Sequence, residues 1–254
     1  MNWNKIAVDA VKNFFEVMDK EMTKGTRGNP FGRNPKGDIA YELDRVAQKS
    51  YEESFPEVTI ISEERIIKRD SGYTVFVDPV CGSIFAKRGS AYFATGLTVC
   101  DKKLRPVCEA IGLFATRDIY HADRKGAYKN KKKIHVSATK RLHESILNYE
   151  SYKPKERESI MKTNLFKIAP AMFNSGSVKY SLAWLAAGYT DGFVNCGNLY
   201  PTTELIGKFI VERAGGIVSD ATGNKIKIYP DFKHRTTLVC SCTKELHKEI
   251  LKNL

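Results

Sequence analysis

The sequence has no long apolar run. No stretch approaches the roughly 20 consecutive apolar residues that cross a bilayer. Its first residues, Met1 to Lys5, begin an amphipathic pattern and lack the apolar block of a signal peptide. These absences predict a cytoplasmic protein with no membrane partner. With 254 residues, 42% of them hydrophobic and 28% charged, the composition is that of a soluble globular protein with a large core.

The sequence also lacks several familiar site motifs. Its six cysteines show no zinc-like paired spacing and lie mostly in apolar segments, which predicts reduced, buried thiols. Its five histidines are scattered without ligand spacing. No serine nucleophile elbow, phosphate-binding P-loop or dinucleotide glycine pattern is present. Chemistry must therefore be sought among the acidic and hydroxyl residues.

The chain has fewer acidic than basic residues. The chain has 41 Lys and Arg against 29 Asp and Glu, a net charge of +12. This excess favours anionic partners, either small phosphorylated metabolites or nucleic acid, without choosing between them. The densest basic cluster, Lys129 with Lys131 to Lys133, falls in a turn between predicted strands and is interpreted as a solvated hairpin tip. Nucleic-acid binding therefore has weak support.

The hydrophobic pattern predicts an α+β protein in two halves. Helical spacing predicts amphipathic helices over 3–22 and 38–51, with a glycine- and proline-rich loop over 24–36 between them. Closely spaced strands between 58 and 136 predict a mostly antiparallel sheet. Beyond 137, strands and helices alternate, including helices over 177–187 and 202–213 and a brief strand at 193–194. We therefore divide the chain into 1–136 and 137–254.

Two predicted strands end at acidic residues. The run from Tyr73 to Val77 delivers Asp78, and the run from Thr59 to Ser62 delivers Glu63. After Asp78, proline fixes φ and Gly82 permits a tight turn, so the carbonyl of Val80 and the hydroxyl of Ser83 can point back towards the carboxylate. Such oxygen ligands suit Mg²⁺. The alternative is an ordinary strand-to-loop turn with Asp78 as a turn residue.

The motifs together resemble the inositol monophosphatase family. They are Ile-Ser-Glu-Glu at 61–64, Asp-Pro-x-x-Gly-Ser at 78–83 and Ala-Gly-Gly-Ile-Val-Ser-Asp at 214–220. Further matches are Gly37-Asp38 through Asp44, 125–137, Gly176-Ser177 and 186–193, so the resemblance covers almost the whole chain. Its archaeal-type inositol monophosphatase/fructose-1,6-bisphosphatase branch is the most similar. The resemblance implies a layered α-β-α-β-α sandwich, with the site where the two halves meet.

The resemblance also implies a role for each matched residue. Glu63, Asp78 and the Val80 carbonyl match the ligands of a first Mg²⁺, Ser83 matches the hydroxyl that orients the attacking water, and Asp44 matches the carboxylate that polarises that hydroxyl. The resemblance therefore implies that Glu63, Ser83 and Asp44 are the catalytic residues. The implied substrate-binding residues are Gly82, Ser83, Gly176, Ser177 and Asn195. Basic residues of the 24–36 loop, including Lys36, can approach a substrate phosphate in such proteins, although a solvated loop is the simpler interpretation.

Two departures fall on the second metal of the family. Cys81 stands where the family has a ligand Asp, and Thr203 stands at the position of another. A mostly neutral thiol and a hydroxyl are poor ligands for Mg²⁺, so fewer ions are expected than in typical members. Glu204 can replace the missing carboxylate only after a register slip. Val178-Lys179 also replaces the small residues that the family commonly has there.

Two hypotheses follow. One is a Mg²⁺-dependent phosphatase acting on a small phosphorylated metabolite of the inositol-1-phosphate or fructose-1,6-bisphosphate class, with a weakened second metal site. The other is a catalytically inactive relative that binds phosphorylated ligands, a protein partner or nucleic acid through its basic surface. The resemblance also implies a homodimer.

Overall fold

The computed structural model describes residues 1–151 and 153–254. Within these residues, two large sheets alternate with layers of helices. The helices are α1 Trp3–Met22, α2 Glu42–Ser54, α3 Ser83–Ala86, α4 Pro154–Met161, α5 Leu165–Ile168, α6 Val178–Ala186, α7 Lys208–Arg213 and α8 Lys244–Lys252, with a 3-10 turn at Leu142–Glu144. The first strands are β1 Pro30–Arg33, β2 Ile39–Tyr41, β3 Thr59–Ser62, β4 Ile66–Ile67, β5 Tyr73–Cys81, β6 Ala94–Asp101, β7 Pro106–Leu113, β8 Asp118–Asp123, β9 Gly126–Lys129 and β10 Lys132–Ile134. The later strands are β11 Ile146–Tyr149, β12 Ala171–Phe173, β13 Gly192–Leu199, β14 Ile217–Ser219 and β15 Thr236–Ser241.

The first helix forms as its pattern predicts. The Asn2 side chain accepts a hydrogen bond from the Lys5 amide and so caps the helix start. Its apolar face, which includes Val11, Phe14 and Met18, is fully buried against α2 and β7. The helix predicted over 3–22 is confirmed at both ends.

The larger sheet has eight strands in the order β10-β9-β8-β7-β6-β5-β3-β4. All its neighbours pair antiparallel except β3 and β5, which run parallel. Parallel strands carry their carboxyl ends to the same edge of the sheet. Since Ser62 pairs with Val77, the next residues, Glu63 and Asp78, come to lie side by side. This pairing places two acidic side chains at one edge.

The smaller sheet has five strands in the order β12-β11-β13-β15-β14. Helix α6 contacts β6 and β7 of the larger sheet and β13 of the smaller one, so it lies between the sheets, and α7 packs beside it. Helices α1 and α2 cover the outer face of the larger sheet, and α8 packs on the smaller. This is the predicted α+β fold in α-β-α-β-α layers. The division at 136/137 stays a prediction.

Several predicted boundaries are wrong. The 24–36 segment is not simply a loop, since Pro30–Arg33 pairs with Ile39–Tyr41 as a hairpin. That pairing keeps 39–41 extended, so the helix predicted from 38 begins at Glu42. The helix predicted over 202–213 begins only at Lys208, after Gly207 with a φ of 114°. The brief strand at 193–194 extends over Gly192–Leu199 because it pairs on both sides. No helix among the described residues is long and apolar enough to span a membrane.

Candidate functional site

A cavity of about 500 Å³ opens where the two sheets approach each other. Most of the residues singled out in the sequence line it: Glu63, Asp78, Val80, Cys81, Gly82, Ser83, Gly176, Asn195 and Glu204. Three further candidates are buried and do not line the cavity: Asp44, Ser177 and Thr203. The chain therefore brings most of the predicted site residues to one pocket, although their roles stay predictions.

The backbone at the end of β5 shapes one wall of this pocket. The β5–β6 pairing is interrupted between Asp78 and Cys81, and Gly82 then adopts a left-handed φ of 95° before α3 begins at Ser83. The buried Thr95 hydroxyl donates to the Asp78 carbonyl over 3.2 Å. This local break turns the chain from strand to helix and exposes Ser83 to the cavity.

Asp44 is held at the start of α2. Its carboxylate accepts a hydrogen bond of 2.8 Å from the Tyr41 amide, so the side chain closes the helix start. Burial raises the pKa of Asp44 to about 7, against the effect of that bond. No hydrogen bond joins Asp44 to Ser83 in the described parts of the chain, so polarisation of Ser83 by Asp44 stays a prediction.

Gly176 and Ser177 share the turn that leads into α6. Gly176 has a φ of 72°, and a Cβ there would lie 2.6 Å from the Phe85 ring, so only glycine fits. Ser177 is fully buried, accepts from the Tyr180 amide at the helix start and donates to the Cys81 sulfur over 3.1 Å. Of this pair, Gly176 is the residue that lines the pocket.

Lys36 contacts the first of the two acids. Its ammonium pairs with the Glu63 carboxylate and lies 3.7 Å from Glu204, and only 6% of its side chain is exposed. The interpretation of Lys36 as part of a solvated loop is therefore wrong, because the β1–β2 hairpin folds it into the pocket. The neighbouring carboxylates raise the pKa of Lys36 despite its burial. Glu204 is engaged by Lys36 and by the Tyr200 amide.

Lys179 contacts the second acid. Its ammonium lies 2.7 Å from the Asp78 carboxylate and 2.9 Å from the Thr203 carbonyl oxygen, and 1% of its side chain is exposed. Cys81 lies beside them, and burial raises the pKa of its thiol to about 12, so it is neutral. The Thr203 hydroxyl is buried without a hydrogen-bond partner among the described residues. Asp78 and the two positions at which the sequence departs from the family, 81 and 203, thus lie around a lysine.

The donor atoms fit one divalent cation better than two. Glu63, Asp78 and the Val80 carbonyl supply hard oxygen ligands to the open pocket, which suits Mg²⁺. Around Lys179, a neutral thiol, a hydroxyl and an ammonium do not suit a second one. Within 1–151 and 153–254, no group of three His, Cys, Asp or Glu side chains is arranged to hold a metal ion.

Sequence reasoning missed the basic side of the pocket. Lys153 and Arg235 line it with Lys36, and the Arg235 guanidinium lies 3.2 Å from the centre of the Tyr200 ring. Neither residue lies in a matched motif, so no signal pointed to them. For Lys179 the signal was present: a lysine replaces a small residue in the same chain that loses two carboxylates. By contrast, Lys131 to Lys133 are exposed at the β9–β10 hairpin, as predicted.

Comparisons with known proteins agree with this fold. A model of the inositol monophosphatase family matches residues 2–254. A fructose-1,6-bisphosphatase/inositol-1-monophosphatase of Thermococcus kodakarensis is 28% identical, covering 99% of this chain and 96% of the relative. The Nus factor SuhB of Escherichia coli is 29% identical over 86% of this chain and 85% of its own. A solved Pyrococcus horikoshii structure, described as similar to inositol-1 monophosphatase, superposes with a TM-score of 0.84 and 26% identity, covering 99% of this chain and 98% of its own.

Proposed function

The chain belongs to the inositol monophosphatase family, and from that premise we propose that it is a Mg²⁺-dependent phosphatase with a weakened second metal site. Its substrate is a small phosphorylated metabolite of the inositol-1-phosphate or fructose-1,6-bisphosphate class. Named relatives of that kind, similar over nearly the full length, support the substrate class. The observation that carries the proposal is that Glu63, Asp78, Val80 and Ser83 line one pocket.

Each residue of the pocket has a task in this proposal. Glu63, Asp78 and the Val80 carbonyl hold the cation, which supplies charge to polarise a phosphoryl oxygen. The turn at Gly82 presents backbone amides to the substrate phosphate, and the Ser83 hydroxyl orients a water for in-line attack.

The sugar or inositol ring has its own contacts in this proposal. Gly176 and Asn195 line the same pocket, where they can meet the ring hydroxyls, while Ser177 is buried behind Gly176 and supports the turn. Lys153 and Arg235 add positive charge for an anionic substrate.

Release of inorganic phosphate tests the proposal. The purified chain is incubated with inositol-1-phosphate or fructose-1,6-bisphosphate, with Mg²⁺ and then with excess EDTA. We expect turnover that EDTA abolishes and that Asp78→Asn loses. Turnover that is unchanged in EDTA, or equal in Asp78→Asn, would contradict the assignment of the cation ligands.

A second candidate is a catalytically inactive phosphoester-binding protein. The specific observation in its favour is that lysine ammonium groups already neutralise Glu63 and Asp78. The similarity to a protein named as a Nus factor also fits a role outside metabolism. It predicts that inositol-1-phosphate binds in calorimetry with EDTA present, while no phosphate is released with Mg²⁺. The homodimer, the cytoplasmic location and a nucleic-acid partner stay predictions.

A further inference from the structure

Lys179 is in an unusual place for a lysine. It is the second residue of α6, in the helical layer between the two sheets, and it is fully buried. Burying an ammonium group is costly unless its charge and its N–H donors are satisfied. Here a carboxylate at 2.7 Å balances the charge, and the Thr203 carbonyl at 2.9 Å accepts a further hydrogen bond. The ammonium is thus held inside the protein by one carboxylate and one carbonyl oxygen.

The groups around this ammonium carry enough negative charge to balance one positive charge, but not two. Asp78 is the carboxylate in contact with it, while Thr203 contributes a carbonyl oxygen and Cys81 a sulfur in place of further carboxylates. A divalent cation such as Mg²⁺ at the same point would need further anionic oxygen ligands, and a soft sulfur that accepts from the Ser177 hydroxyl is not one of them. The loss of two carboxylates and the gain of one lysine both make this part of the protein more positive. Together they remove the need for a bound divalent cation at this point.

We propose that the Lys179 ammonium is a built-in replacement for the second metal ion, fixed beside Asp78 by α6. This inference deepens the proposed function and rests on it, because it takes Asp78 as a residue that faces the cations of the reaction. The chain then needs one exchangeable divalent ion, and the second positive charge is part of the protein. Lys179 acts as a positioning residue for Asp78 and holds its second carboxylate oxygen.

Counting bound Mg²⁺ by calorimetry, without substrate, tests the replacement directly. The first variant carries Cys81→Asp and Thr203→Asp, and the second adds Lys179→Ser to those changes. We expect the double variant to bind as many ions per chain as the natural protein, because the ammonium still fills the position. We expect the triple variant to bind one more.

A matched control removes a different lysine of low exposure. Lys208 pairs with Glu212 over 2.6 Å and does not line the pocket, so Lys208→Ser in the double variant should add no ion. Folding of every variant is checked by circular dichroism. If the triple variant does not fold, Thr203→Asp with and without Lys179→Ser makes the same comparison.

Two outcomes would overturn the inference: an extra ion in the double variant that retains Lys179, or no extra ion when Lys179 is removed. Phosphate release is measured separately on the natural protein. Absent turnover together with the expected ion counts would reject the proposed function alone, and turnover together with an extra ion in the double variant would reject the replacement alone.

Discussion

Two lysines meet two acidic side chains in the same pocket, and they reach it from different parts of the fold. Lys36 lies between the short strands β1 and β2 and pairs with Glu63, of which 21% is exposed. Lys179 lies on α6 between the sheets and pairs with Asp78, of which 6% is exposed. Both pairs line the pocket, but the second is more deeply buried.

Because the two pairs differ in burial, we expect their carboxylates to differ in how readily they exchange the ammonium for a cation. The more exposed Glu63 carboxylate can exchange its ammonium partner for a cation from solvent, at the cost of moving one surface hairpin. Asp78 cannot exchange its partner in this way. If a cation displaced the Lys179 ammonium, that ammonium would be left buried without a carboxylate to balance its charge. We therefore regard the Lys36–Glu63 pair as the exchangeable one and the Lys179–Asp78 pair as part of the scaffold.

The largest effect is expected from Lys179→Met. It leaves the buried Asp78 carboxylate without its partner, so the free energy of unfolding should fall by about 3–5 kcal/mol. Urea unfolding followed by circular dichroism measures the change. Lys5→Met, at an exposed pair with Asp9, is the control and should leave the free energy of unfolding nearly unchanged. Equal losses in the two variants would show that the enclosed pair is no different from a surface pair.

The next effect concerns the acid on the open side. Glu63→Gln should lower kcat/KM for phosphate release by on the order of 100-fold, because it removes one anionic ligand of the proposed cation. Glu64 is the matched control, since it follows directly in the chain but lines a separate cavity. Glu64→Gln should change the rate by less than about threefold. If Glu64→Gln were the more damaging change, the cation ligand would be misassigned.

Much of this site could be predicted from the sequence, and the lysines show what could not. The positions of Glu63 and Asp78 follow from where two apolar runs end, and a parallel pairing then brings them together. For Lys179 the sequence shows that a lysine replaces a small residue, but a lysine at a helix start is typically solvated, so its burial could not be predicted. Only the packing of α6 between two sheets turns that side chain inwards. The position of Lys36 in the pocket likewise depends on a hairpin. That hairpin has little hydrophobic pattern, and its strand residues 30–33 are all exposed.

A third buried acid, Glu109, lies outside the two lysine pairs. Glu109 accepts hydrogen bonds from the Thr98 hydroxyl at 2.6 Å and the Ile210 amide at 2.9 Å, and burial raises its pKa to about 7. The folded state therefore binds more protons than the unfolded state between the unfolded pKa, about 4.5, and about 7. Stability should fall as the pH rises through that range.

Glu109→Gln removes this contribution. The difference in unfolding free energy between about pH 5 and about pH 7.5 should be smaller in the variant by about 1–3 kcal/mol. Urea unfolding at the two pH values measures it, and the exposed Glu57→Gln serves as the control. Identical pH dependence in the natural protein and in Glu109→Gln would mean that burial does not raise the pKa of Glu109 in the folded state.

The smallest effect is the one that tests exchange at Glu63. Lys36→Met removes the ammonium that competes with a cation for this carboxylate, so Mg²⁺ should bind about tenfold more tightly in calorimetry. Lys153 is a matched control, because it lines the same pocket but pairs with Glu156 at 3.8 Å. Lys153→Met should leave the Mg²⁺ affinity within about twofold, since an exposed charge is screened by solvent. Unchanged or weaker Mg²⁺ binding in Lys36→Met would mean that the ammonium of Lys36 does not compete with the cation, and the two pairs would then be equally fixed.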